Sequence, residues 1–170
     1  ALITPFNRDG SIDYDGFRTL LEFQARHGTA AVLIMGSTGE VSMLRPEERR
    51  NIVSKTVKHK IGGMLQFYGC TGNSTETTIE NVAYAAQEGA DGAIVAVPSY
   101  ICPSEQDAVR YFLDVADASP IAIGAKLPSP LGSMAVANTT NTRTRVRMIS
   151  ASSPLPTEKP APRPWAPRFP

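Results

Sequence analysis

Histidine and cysteine are scarce in this chain, two of each in 170 residues, and that scarcity removes several chemistries at the outset. Cys70 and Cys102 lack the spacing of a metal-binding pair and read as reduced thiols. A nucleophilic cysteine would need a positioned base, and His27 and His59 are the only imidazoles to supply one. No cluster of His, Asp and Glu has ligand spacing, so no metal is expected. Neither a Gly-x-Gly-x-x-Gly nor a Gly-x-x-x-x-Gly-Lys pattern follows a candidate strand, which weighs against a doubly wound phosphate-binding domain, and no cofactor is expected. No window reaches the roughly 18 apolar residues of a membrane span. No charged leader followed by an apolar core opens the chain, and the expected compartment is the cytoplasm. The net charge of +1 asks for neither nucleic acid nor a membrane surface.

That near-neutrality conceals a boundary. Residues 1–132 hold 11 Lys+Arg against 15 Asp+Glu, residues 133–170 hold 6 against 1, and seven of the 14 prolines fall between Pro154 and Pro170. Proline fixes φ and removes a donor, so this last stretch cannot build a regular helix or a central strand. The expected division is a folded part over 1–132 and a disordered or loosely extended Pro/Arg-rich tail over 133–170.

Within 1–132 the organising stretch is Ala31-Val-Leu-Ile-Met-Gly36-Ser37-Thr38-Gly39-Glu40. Five apolar residues in a row are too few for a helix and fit a strand buried on both faces, hence a parallel sheet. The run ends on two glycines bracketing two hydroxyls, a nest of backbone N–H groups suited to a carboxylate or phosphate at the carboxyl end of the sheet; it fits equally a tight turn whose glycines serve only geometry. The same alternation recurs along the chain. Strands are expected at Ala1–Pro5, Ala31–Met35, Met64–Tyr68, Ala93–Val97 and Pro120–Ala125. Helices are expected from Tyr14 to His27 after an Asp13 cap, from Pro46, from Ser74 or Thr75, and from Ser104. Units of about 30 residues in this order fit a (β/α) barrel or a doubly wound sheet.

The chain resembles the pyruvate-dependent class I aldolases and lyases typified by dihydrodipicolinate synthase and N-acetylneuraminate lyase. The resemblance is carried by Ile3-Thr4-Pro5-Phe6 with Asp9-Gly10-Ser11-Ile12-Asp13, by Gly36-Ser37-Thr38-Gly39-Glu40 followed by Leu44-Arg-Pro-Glu-Glu-Arg49, by Gly69-Cys-Thr-Gly72, and by Gly89-Ala-Asp-Gly92 leading to Val97-Pro-Ser-Tyr100. It covers roughly residues 1–132 and implies part of a TIM (β/α)8 barrel, about five strands and four helices. It also implies a homotetrameric parent enzyme and pyruvate or a related 2-oxo acid as ligand. By the same resemblance Gly36, Ser37 and Thr38 bind the substrate carboxylate, Thr38 joins the proton relay, and Tyr100 reaches across a subunit interface to complete a neighbour's relay.

The family's chemistry also needs a lysine that forms a Schiff base with the keto group, and here the chain departs from the pattern. Where the family has a tyrosine and an arginine at the end of strand five, this chain has Ala125 and Pro130. The lysine is due near residues 150–155, within Ile149-Ser-Ala-Ser-Ser-Pro154. Lys126 stands a whole unit too early and reads as a solvated or structural lysine, and Lys159 stands among prolines, so no Schiff-base lysine is assigned. The tail resembles translation in a shifted frame beginning soon after Leu131. An incomplete barrel keeps unpaired strand edges and exposed core, so poor solubility is expected of the chain alone. The alternative is a non-catalytic relative that binds a small carboxylate or pairs with full-length subunits.

Overall fold

In the computed structural model, which describes residues 1–98, 103–126, 134–138 and 145–149, helices and parallel strands alternate. The order is α1 (Tyr14–Arg26), β1 (Ala31–Ile34), α2 (Pro46–Thr56), β2 (Leu65–Gly69), α3 (Thr75–Glu88), β3 (Gly92–Ala96), α4 (Glu105–Asp117) and β4 (Ala122–Lys126). Each helix begins on a local signal. The Asp13 carboxylate accepts from Gly16 N–H at 2.8 Å, Ser74 accepts from Thr77 N–H at 3.1 Å, and Ser104 accepts from Asp107 N–H at 3.2 Å, so donors orphaned at the first turn find partners. At α2, Pro46 occupies the first turn and Glu48 reaches back to Arg45 N–H at 2.8 Å. Gly89, at φ +99°, ends α3 in the left-handed conformation that glycine adopts without steric cost.

The four strands lie in sequential order, β1-β2-β3-β4, with parallel pairing throughout. A doubly wound sheet reverses its strand order at a switch point; unbroken order is the arrangement of a barrel wall. One face of the sheet is buried under the helices. Val32 and Ile34 of β1, Tyr68 of β2, Ala93 and Val95 of β3 and Ile123 of β4 meet Phe17 and Leu21 of α1, Ile52 and Val53 of α2, Val82 of α3 and Val115 of α4 in one core. The opposite face, with Leu33, Phe67 and Ile94, is only half buried, as the inner wall of an open barrel segment would be.

Two expectations need correction. Residues 1–5 form no strand. Leu2 N–H donates to Leu33 O at 2.8 Å, but the chain then turns, with Asp13 N–H on Pro5 O at 3.0 Å and an isolated antiparallel bridge between Phe6 and Ile12; Pro5 has no N–H to extend a ladder. The stretch beyond 132, expected to lack regular structure, contains β5 (Met134–Asn138), antiparallel to β4, and β6 (Arg145–Ile149), antiparallel to β5. The valines and isoleucine in these segments favour extended backbone, and antiparallel pairing dispenses with the long crossover that a further parallel strand requires. Among the described residues no helix is long and apolar enough to cross a membrane.

A polar chain crosses the core beneath β2. The Tyr68 phenol, fully buried, donates to Gln66 Oε1 at 3.0 Å and lies 2.9 Å from the Thr56 hydroxyl, and Gln66 Nε2 donates to His59 O at 3.2 Å. Burial raises the Tyr68 pKa far above that of a free phenol, so it stays neutral and donates. Replacing Tyr68 by Phe would leave the Gln66 oxygen unsatisfied, and chemical denaturation should show a loss of about 1–3 kcal/mol.

Candidate active site

The carboxyl ends of the four parallel strands open onto a pocket of about 470 Å³, within the roughly 300–1,000 Å³ of small-molecule sites. Leu33, Met35, Gly36 and Ser37 line it from β1 and the turn that follows, and Ser42 and Arg49 from the approach to α2 and from α2 itself. Gly69, Thr71, Gly72 and Asn73 come from the end of β2 and the loop after it, Ile94, Ala96, Val97 and Pro98 from β3 and the two residues that follow, and Lys126 from the last position of β4.

The turn after β1 is held by its neighbours. Met35 adopts φ +57°, unusual for a residue with a side chain, and this turns its carbonyl onto β2. A methyl group at Gly69 would overlap the Met35 carbonyl oxygen. Ser37–Gly39 form a single 3₁₀ turn, and the buried Thr4 hydroxyl donates to Gly39 O at 2.6 Å. Thr4 of the N-terminal segment thereby anchors the hydroxyl-bearing turn.

The loop after β2 is fixed in the same way. Thr71 Oγ1 accepts from Ala96 N–H at 2.9 Å, Asn81 donates to Cys70 O at 3.2 Å, and the buried Thr78 hydroxyl donates to Ser74 O at 2.8 Å while accepting from Gly72 N–H at 3.0 Å. The Tyr111 phenol of α4 lies 3.0 Å from that same Thr78 oxygen. Asp91 ties β2 to the entry of β3, accepting from Gln66 N–H at 2.8 Å and from Lys60 Nζ at 2.7 Å.

Of the residues expected at the site, Gly36 and Ser37 line the pocket; Thr38, one step on in the 3₁₀ turn, is exposed and does not. Tyr100 and Cys102 lie outside the described residues, as does the Leu127–Gly132 segment. Lys126, read from sequence as solvated or structural, is exposed and at the same time part of the pocket wall. Arg49, Thr71 and Asn73 are pocket residues that sequence reasoning did not single out. The glycine-rich strand end that carries Thr71 and Asn73 was the available signal. Cys70 is buried away from the pocket beneath α3, and burial pushes its thiol up to about 12, which leaves it neutral and unreactive at pH 7.

An unbroken row of parallel βα units with its pocket over the carboxyl ends defines a segment of a (β/α) barrel that carries ligand chemistry at that face. The model of the dihydrodipicolinate synthetase family matches residues 1–125, and the chain belongs to that family. The 4-hydroxy-tetrahydrodipicolinate synthase of Gluconacetobacter diazotrophicus is 38% identical over 121 residues, 71% of this chain and 41% of the relative. The crystal structure of dihydrodipicolinate synthase from Aquifex aeolicus matches with TM-score 0.68 at 38% identity, over 72% of this chain and 42% of that one. A prophage protein of the same family from E. coli K12, solved in complex with pyruvate, matches with TM-score 0.69 at 33% identity, over 72% of this chain and 41% of that one. The chain thus spans about two fifths of the length of the relatives it matches.

Two outcomes follow from this geometry. Gly69→Ala should destabilise the protein by about 3 kcal/mol in thermal or chemical denaturation, because the overlap is with backbone and cannot be relieved by a rotamer change. In a Cys102→Ser background, the Cys70 thiol should resist a disulfide reagent in the native protein and react promptly in denaturant. Its pKa is raised from 9.0 in the folded state, so the stability it contributes is complete below pH 9 and declines as pH rises above it.

Proposed function

We propose that this chain is the N-terminal part of a pyruvate-dependent lyase or synthase using Schiff-base aldol chemistry, and that on its own it binds a 2-oxo acid without turning it over. The observation that carries the reading is the placement of Gly36 and Ser37 in a pocket at the carboxyl end of β1, in a chain whose relative was crystallised with pyruvate. The Ser37 hydroxyl and the backbone N–H groups of its turn hold the carboxylate. Thr38, exposed like Ser37, serves the proton relay that Tyr100 of a neighbouring subunit would complete in a homotetrameric parent. Residues 1–132 are the barrel part and residues 133–170 a non-native tail, read in a shifted frame. Resequencing the source gene through the codons after Leu131 tests that boundary, and an intact frame overturns it.

The assignment of no nucleophile follows from position. Lysine must stand at the end of the sixth barrel strand, desolvated, to condense with the keto group, and residues 149–154 offer none. A second reading, a carboxylate-binding or subunit-pairing relative with no catalytic role, is favoured by the same combination of a formed pocket and a missing amine.

Borohydride treatment with pyruvate, read by intact mass, should give no adduct on this chain. Calorimetry should nevertheless show saturable pyruvate binding, weakened roughly tenfold in Ser37→Ala. A reduced adduct mapped to a lysine would make the chain a working aldolase; absence of binding would remove the pocket from the function altogether.

A further inference from the structure

We infer that Thr78, supported by Tyr111 of α4, is a positioning residue for the ligand: its hydroxyl holds the Gly72–Asn73 wall of the pocket where 2-oxo acid binding requires it. The inference rests on the reading above, that this pocket binds a 2-oxo acid. It adds two residues that do not line the cavity themselves.

The ladder between β2 and β3 ends on side chains. Cys70 N–H still donates to Ile94 O at 3.0 Å, and in a regular parallel ladder the Cys70 carbonyl would then accept from Ala96 N–H. Instead that N–H donates to the Thr71 hydroxyl at 2.9 Å, and the Cys70 carbonyl accepts from Asn81 of α3 at 3.2 Å. The chain leaves the ladder there, and Gly72 and Asn73, both pocket residues, follow beyond it.

Their place is set by Thr78, near the start of α3. Its hydroxyl accepts from Gly72 N–H at 3.0 Å and donates to Ser74 O at 2.8 Å, so one oxygen ties the loop on both sides of Asn73. A hydroxyl has a single proton. With that proton on Ser74 O, the Tyr111 phenol 3.0 Å away is the donor of the third bond. Burial raises the pKa of this phenol, which keeps it protonated and able to donate. Thr78 is fully buried and Tyr111 nearly so, and water does not compete for these bonds. Gly72 is also pressed against the same turn: a methyl group there would stand 2.8 Å from Thr77 Cβ and 3.0 Å from Thr78 N.

Positioning is separable from stability at this point. Val and Phe differ from Thr and Tyr by little more than the hydroxyls. Removing the Thr78 hydroxyl leaves Ser74 O with its bond from Thr78 N–H at 3.0 Å, whereas the buried Gly72 N–H loses its acceptor and the wall is released where it meets the cavity.

The discriminating experiment pairs calorimetric titration of pyruvate with amide hydrogen exchange, both on the 170-residue chain. Thr78→Val should weaken pyruvate binding roughly tenfold and speed exchange at Gly72 N–H, while the amides of α1 and β3 exchange as in the wild type. Thr78→Ser keeps the hydroxyl and should bind pyruvate within about twofold of the wild type. Tyr111→Phe should weaken pyruvate about threefold, with a smaller rise in Gly72 exchange. Wild-type affinity in Thr78→Val, with Gly72 exchanging faster and Ser37→Ala still weakening pyruvate, would overturn the inference and leave the proposed function standing. Faster exchange throughout the chain, or a loss of affinity that Thr78→Ser does not rescue, would make Thr78 a general stabilising residue and overturn the inference as well. If Thr78→Val does not fold, Tyr111→Phe decides, and wild-type affinity in that variant overturns the inference. Failure of the wild-type chain to bind pyruvate would overturn both readings.

Discussion

At Gly69 the carbonyl oxygen of Met35 occupies the space a side chain would need, and the upper edge of the sheet is arranged around that approach. Met35 reaches it only by taking a left-handed backbone conformation, which a residue with a Cβ adopts at a cost of order 1–3 kcal/mol unless its surroundings hold it there. Here those surroundings are visible. The following turn is pinned through Gly39 by the Thr4 hydroxyl, and the facing loop through Thr71 and Thr78. Because β1 and β2 converge at this point, Gly36, Ser37, Gly69 and Gly72 share one cavity.

The anchoring groups are mostly hydroxyls of threonine and tyrosine, buried or half-buried and each with a partner. No buried side-chain nitrogen or oxygen among the described residues lacks a hydrogen bond. Such networks stabilise modestly per bond but are costly to leave incomplete. Here they tie the loops after β1 and β2 to the N-terminal segment, to α3 and to β3.

The two faces of the sheet carry different groups. Cys70 and Tyr68, potential nucleophile and potential acid, are both turned toward the helices, and burial holds both neutral. The charged residues of the pocket lining, Arg49 and Lys126, are half-buried and exposed, so solvent still reaches them.

Much of this architecture was legible in the sequence, because it rests on local rules. Apolar runs of strand length, Asp13, Ser74 and Ser104 before their helices, Pro46 at a first turn and Gly89 at a helix end all act within a few residues of themselves, and the four helices and four parallel strands appear where those signals placed them. The motif glycines and Ser37 marked the pocket for the same reason. What the sequence could not decide was everything that depends on residues distant along the chain. It left barrel and doubly wound sheet open until strand order was known. It suggested a first strand that Pro5 interrupts, and it treated Ser37 and Thr38 alike although only Ser37 lines the pocket. Arg49 and Lys126, 77 positions apart in the numbering, become walls of one cavity only because three parallel crossovers bring the ends of β1 and β4 to the same edge of the sheet, and no periodicity along the chain encodes that meeting.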